Sequence, residues 1–73
     1  MITYNQLDAY ERDCRIRFGN IVKQYRGEMS LERLGGLCNL NPATIKSIEE
    51  GKNCRHSAVL RICKILDIPY FAG

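Results

Sequence analysis

The chain has 73 residues, 45% of them apolar, with 11 Lys and Arg against 8 Asp and Glu for a net charge of +3. That length allows one small domain with a single core and excludes a second folded unit, and a core of this size supplies only about 3–5 kcal/mol on its own, so association with a partner is expected. The charge permits a polyanionic partner without demanding one. No apolar run approaches the ~18 residues of a membrane span, and Met1 to Gln6 carries no basic flank leading into an apolar stretch, so a cytoplasmic, membrane-free protein is expected.

Apolar residues at Leu7, Tyr10, Cys14, Phe18, Ile21, Val22 and Tyr25 recur at intervals of three and four, the signature of an amphipathic helix. Gly19 inside this pattern costs about 1 kcal/mol relative to Ala, which leaves open one long helix or two pieces joined near Arg17–Asn20. The segment should run to about Tyr25, with Gly27 ending it. Residues 1–17 read as a helical extension packed on a domain made by residues 18–73. As a self-contained seam between two chains, the Leu7–Tyr25 stripe is short, and docking on the domain's own core is the preferred reading.

Ser30 is placed to cap a second helix whose inward face is Leu31, Leu34 and Cys38. Gly35-Gly36 lowers its intrinsic helicity, and the reason favoured for Gly35 is steric: without a side chain it lets another helix come close. Cys38-Asn39-Leu40 forms the turn, with Asn39 suited to a left-handed conformation. Asn41 then caps a third helix, Pro42 occupies its first position, Ile45 and Ile48 point inward, and Gly51 stops it, giving a helix over about Pro42–Glu50. After a basic loop, Lys52 to His56, a last helix carries Val59, Leu60, Ile62, Cys63, Ile65 and Leu66 before Pro69 closes it. This stretch is more apolar than one buried stripe requires. Its surplus, with Ile68, Tyr70 and Phe71, either packs on a second subunit or folds back on the first helix.

The fold class expected is therefore all-α, a bundle of four to five helices. Two short helices joined by a tight turn cannot bury themselves, so they sit on other helices and present the outer side of the second. Within SLERLGGLCNLNPATIKSIEEGK, an apolar Leu34, a very small Gly35, apolar Cys38 and Leu40, a turn-forming Asn39, and Ile45 and Ile48 beyond all agree with that geometry. The pattern resembles the phage-repressor-like helix-turn-helix family, the lambda-repressor and Cro type also called XRE-type, over roughly Phe18 to Ile68, with the motif itself at residues 30–51. The resemblance implies a five-helix bundle that binds operator DNA, commonly as a homodimer, and regulates transcription.

Carried over by position, Asn41, Pro42, Ala43, Lys46 and Ser47 occupy places where relatives touch base edges. Thr44, Glu50, Lys52 and Arg55 stand at backbone-contact positions. Helical periodicity supports the first set independently, because Ile45 and Ile48 inside leave Pro42, Ala43, Lys46 and Ser47 outside. Lys52 and Arg55 have the charge that phosphate contact needs. There are departures from the family pattern. Pro42 and Ala43 stand where relatives often carry Gln or Arg, which predicts modest sequence preference. Leu31 replaces a Gln, and Glu50 is mildly repulsive to phosphate. Glu49 would in relatives pair with an Arg of the first helix; Gln24 falls at that place, so the partner is either a neutral hydrogen bond or Arg26.

Other chemistry lacks its parts. Cys14, Cys38, Cys54 and Cys63 are scattered without a C-x-x-C pair and read as small apolar residues with reduced thiols, and His56, the one histidine, has no ligand or catalytic set around it. No phosphate loop, nucleophile elbow or carboxylate pair is present, so no enzyme, metal, cofactor or small-molecule substrate is expected. The competing reading is a protein-interaction or antitoxin-type module on the same scaffold with weak or no DNA binding. Near-neutral charge on the motif favours it and the basic flanks oppose it.

Overall fold

The structure is a computed structural model that describes residues 3–69. It consists of four helices, α1 (Tyr4–Arg26), α2 (Leu31–Cys38), α3 (Pro42–Glu49) and α4 (His56–Leu66), with no strand among the described residues. No helix among these residues is long and apolar enough to cross a membrane.

The open question at Gly19 is answered by continuity: α1 is one helix of 23 residues, about 35 Å long at 1.5 Å per residue. It begins in a capping box at Thr3. Thr3 Oγ1 accepts from the Gln6 amide at 3.3 Å, and the Thr3 amide donates to Gln6 Oε1 at 2.8 Å. Gly27 ends it, as expected, with φ of 57°. Ser30 caps α2, its Oγ accepting from the Arg33 amide at 3.0 Å. Asn41 caps α3, with Pro42 at the first helical position, as expected.

The remaining helix ends share one device. Asn39, Gly51 and Asp67 adopt positive φ after α2, α3 and α4. The amide of each following residue donates back across the turn: Leu40 to the Gly35 carbonyl at 2.8 Å, Lys52 to Ser47 at 3.0 Å and Ile68 to Cys63 at 2.9 Å. Asp67, not Pro69, therefore stops α4. Glu50, expected as the last residue of α3, is its cap.

The core gathers the inward residues of all four helices. Val22, Leu34, Ile45, Ile48 and Ile62 are fully buried, and Cys38, Ala58, Cys63 and Ile68 complete the cluster. Burial holds the Cys38 and Cys63 thiols above their ordinary pKa, with Arg61 partly opposing this at Cys38. Two close approaches shape the cluster. A Cβ on Gly19 would lie 2.9 Å from the Glu49 carbonyl oxygen and would collide with that of Ile48, so the backbones of α1 and α3 pass with no room for a methyl group. A Cβ on Gly35 would lie 2.6 Å from the Leu40 carbonyl oxygen and 3.3 Å from the Pro42 nitrogen. The body approaching Gly35 is thus the turn and the entry to α3.

Only part of α1 belongs to this core. Of residues 1–17, expected to pack on the domain, Ile16 lies against Gly51, Arg15 Nε donates to the Gly51 carbonyl at 3.2 Å, and Tyr10, Glu11 and Cys14 border a groove with Asn53 and Cys54. Residues 3–14 are exposed throughout. The molecule accordingly measures 43 × 23 × 19 Å with a radius of gyration of 12.8 Å, above the ~11 Å of a rounded domain of this length.

Candidate nucleic-acid interface

α3 is fixed on three sides before any ligand is considered. Its inner face is Ile45 and Ile48, both buried. Its last carbonyls lie on Gly19 of α1, and its first residue lies on Gly35 of α2. At its C-terminal end Arg26 grips Glu49: Nε to Oε2 at 2.6 Å and Nη2 to Oε1 at 3.0 Å, a two-pronged pair, while Nη1 donates to the Met29 carbonyl at 2.6 Å. The Glu49 side chain is 8% exposed and that of Arg26 16%. The hydrogen bond to Glu49 raises the Arg26 pKa above its ordinary value despite a smaller opposing effect of burial. Of the two partners open for Glu49, Arg26 is the one used.

What remains of α3 faces outward. Ala43 and Lys46 are exposed, and Pro42, Thr44 and Ser47 are half-buried on the shoulders of the helix. Asn41 is exposed but partly committed, since its Oδ1 accepts from the Ala43 amide at 2.9 Å; the amide nitrogen is left to point away. The side chains singled out by periodicity share one surface, with Ala43 and Lys46 exposed on it and Pro42 and Ser47 partly covered at its edges.

The basic flank is looser. Lys52 is exposed and pairs with Glu50 at 3.5 Å, an exposed contact worth little and readily exchanged for another anion. Arg55 is exposed at the entry to α4 and makes no side-chain cap there. A fourth cation, Arg61, reaches back from α4 to the Asn39 carbonyl at 3.3 Å and ties the turn before α3 to the body. No motif in the sequence signals this bond. Arg61 is 22 residues from Asn39, and the pairing exists only once α2 and α4 are packed together.

Among the described residues no group of three or more His, Cys, Asp and Glu side chains gathers where a metal could be held. Cys38 and Cys63 belong to the core, whereas Cys14 and Cys54 are exposed beside the groove between α1 and the loop before α4. The surface is thus equipped for contact, with the Ala43 methyl, the Thr44 and Ser47 hydroxyls, the Asn41 amide and Lys46 on or beside α3, and Lys52 and Arg55 beyond its end.

No family model, no curated protein and no solved structure matches this chain.

Proposed function

We propose that the chain binds double-stranded DNA, with α2 and α3 acting as a lambda-repressor-like helix-turn-helix and the outward face of α3 entering the major groove, and that it serves as a small transcriptional regulator. One observation carries this reading. α3 is immobilised by Ile45, Ile48, the Gly19 and Gly35 contacts and the Arg26–Glu49 pair, yet its opposite side offers Ala43, Lys46 and Ser47 to solvent. A helix held this firmly with nothing over its polar side is a pre-positioned reader.

Ala43 can meet a thymine methyl, Ser47 can donate or accept, Asn41 keeps an amide nitrogen, and Lys46 reaches guanine or phosphate. Lys52 and Arg55 supply phosphate contacts beyond the C-terminal end of α3, with Lys52 leaving Glu50 to do so. The Lys52–Glu50 pair and the absence of Gln or Arg on the face are what favour the second reading, a protein-interaction module.

Salt separates the two. DNA binding measured by fluorescence anisotropy on mixed-sequence duplexes should weaken steeply with ionic strength, and Lys52→Ala should flatten the logarithmic slope by about one unit. An interaction module predicts no duplex binding even at low salt.

A further inference from the structure

The exposed residues of α1 are not scattered. At 100° per residue Leu7, Tyr10, Cys14, Ile21 and Tyr25 fall within about 60° of one another, a stripe about 27 Å long. Val22, Gly19 and Arg26, which meet the core and α3, lie about a third of a turn away round the helix. The domain leaves much of the stripe open, with Leu7 44%, Tyr10 65%, Ile21 38% and Tyr25 48% exposed, while Tyr10 and Cys14 border the groove formed with Asn53 and Cys54. Of the apolar series in α1, Phe18 and Val22 dock inward along one border of the stripe, Phe18 only about 20° round from Leu7 and Tyr25, and the rest continues it outward with heptad spacing at Leu7, Tyr10, Cys14 and Ile21.

Charge along the same helix identifies what fits this face. Between Tyr4 and Asp13 stand Asp8, Glu11 and Asp13 against Arg12 alone, whereas from Cys14 to Arg26 stand Arg15, Arg17, Lys23 and Arg26 with no acid. Arg26 is held by Glu49, Arg15 by the Gly51 carbonyl, and Lys23 lies round the helix from the stripe, so Arg17 at the stripe's border is the cation left to meet the acidic half of a reversed second copy. Arg17 makes the orientation more specific, because it falls at the heptad position between Cys14 and Ile21. A parallel pairing would set Arg17 against its own copy. An antiparallel pairing sets it against Cys14 and beside Asp13 of the second copy, with Tyr10 opposite Ile21 and Leu7 opposite Tyr25.

We infer that α1 is a homodimerisation helix, with two copies of this chain packing their Leu7–Tyr25 stripes antiparallel about a two-fold axis near residues 15–16. The alternative expected from sequence, a contact through the last helix and residues 68–71, is reduced by the fold. Ile62, Cys63 and Ile68 are consumed by the chain's own core, leaving Leu60 and Ile65 beside Leu37 in a groove between α2 and α4. Tyr70 and Phe71 lie outside the described residues. The α1 surface does not include the outer side of α3, so the pairing stands or falls independently of DNA binding.

Sedimentation equilibrium of the full chain tests it. The wild type should show a mass rising with concentration from 8.4 kDa toward twice that value. Each stripe residue occurs twice in a two-fold interface, so Tyr10→Glu or Ile21→Glu should raise the dissociation constant more than about tenfold while the far-UV circular dichroism of the monomer is kept. Leu60→Glu, in the α2–α4 groove, should leave the mass unchanged. Orientation is read by a charge exchange: Asp13→Arg and Arg17→Asp should each weaken the dimer, and the two together should restore it. A wild type that remains at monomer mass into the millimolar range, dissociation by Leu60→Glu but not Tyr10→Glu, or failure of the exchanged pair to recover would overturn the inference.

Discussion

The two halves of α1 have the same period and similar apolar content, yet they sit in opposite environments. From Arg15 to Arg26 the helix is locked: Gly19 lies on the α3 backbone, Val22 is in the core and Arg26 holds Glu49. From Thr3 to Cys14 every residue is exposed, and the N-terminal end is held by its own capping box. The difference is that an amphipathic stripe records only that something apolar is to be covered. What decides whether the cover comes from the same chain is the small residue and the charge partner at one point on the helix.

The largest effect expected in breaking this contrast comes from Arg26→Ala. It leaves the Glu49 carboxylate, 8% exposed, without its charged partner in a part-buried site, and should cost about 2–3 kcal/mol in denaturant unfolding. Next come the glycines. Gly19→Ala and Gly35→Ala should each cost about 1–3 kcal/mol despite the better helix propensity of alanine, because the added methyl group meets backbone. Gly36→Ala, with nothing within 4 Å of the new methyl, should instead gain up to about 1 kcal/mol. Opposite signs at adjacent glycines in one helix, read by thermal unfolding, separate close approach from propensity.

Alkali should act through thiols of the folded body, Cys38 and Cys63 in the core and Cys54 in the loop before α4, all with pKa raised by burial. Burial raises the Cys38 and Cys63 pKa in the folded state, so the protonated thiols favour folding, and that contribution is intact below the ordinary thiol pKa and is lost as pH rises through the raised value. The unfolding free energy from denaturant melts should therefore fall above the ordinary thiol range, by at most about 1.4 kcal/mol per pH unit for each thiol. Cys63→Ala should reduce the slope.

The smallest effect sharpens the contrast most. Ser30→Ala and Thr3→Ala each remove one N-cap, nominally worth about 1 kcal/mol. Ser30 caps a core helix and its loss should appear in global stability. Loss of Thr3 should only fray the first turns of α1, seen as faster amide exchange near Leu7 with the melting temperature unchanged.

Much of this architecture was legible because the breaks in the chain are chemically explicit. Ser30 and Asn41 carry capping side chains, Pro42 fixes φ, and Asn39, Gly27 and Gly51 tolerate positive φ, and α2 and α3 lie within a residue of where those signals put them. Ile45 and Ile48, three apart, were enough to orient α3 and expose Ala43 and Lys46. The role of Gly19 was hidden because its reason is some thirty residues distant, in the carbonyls of Ile48 and Glu49. The choice of Arg26 over Gln24 depended on the rotation of α1 against α3, which a 3.6-residue period does not specify closely enough. The Leu7–Tyr25 stripe was assigned to the core as a whole because two apolar faces adjacent on one helix merge into a single broad stripe in the sequence.

The central proposal concerns the other end of the contrast, the helix that the locked half of α1 holds in place. Amide chemical shifts of the labelled protein titrated with a duplex at low salt test it directly. The largest changes are expected at Ala43, Thr44, Lys46 and Ser47, smaller ones at Lys52 and Arg55, and none at Leu7 or Tyr10. A spectrum unmoved by duplex, or changes confined to α1 or to the α2–α4 groove, would contradict it.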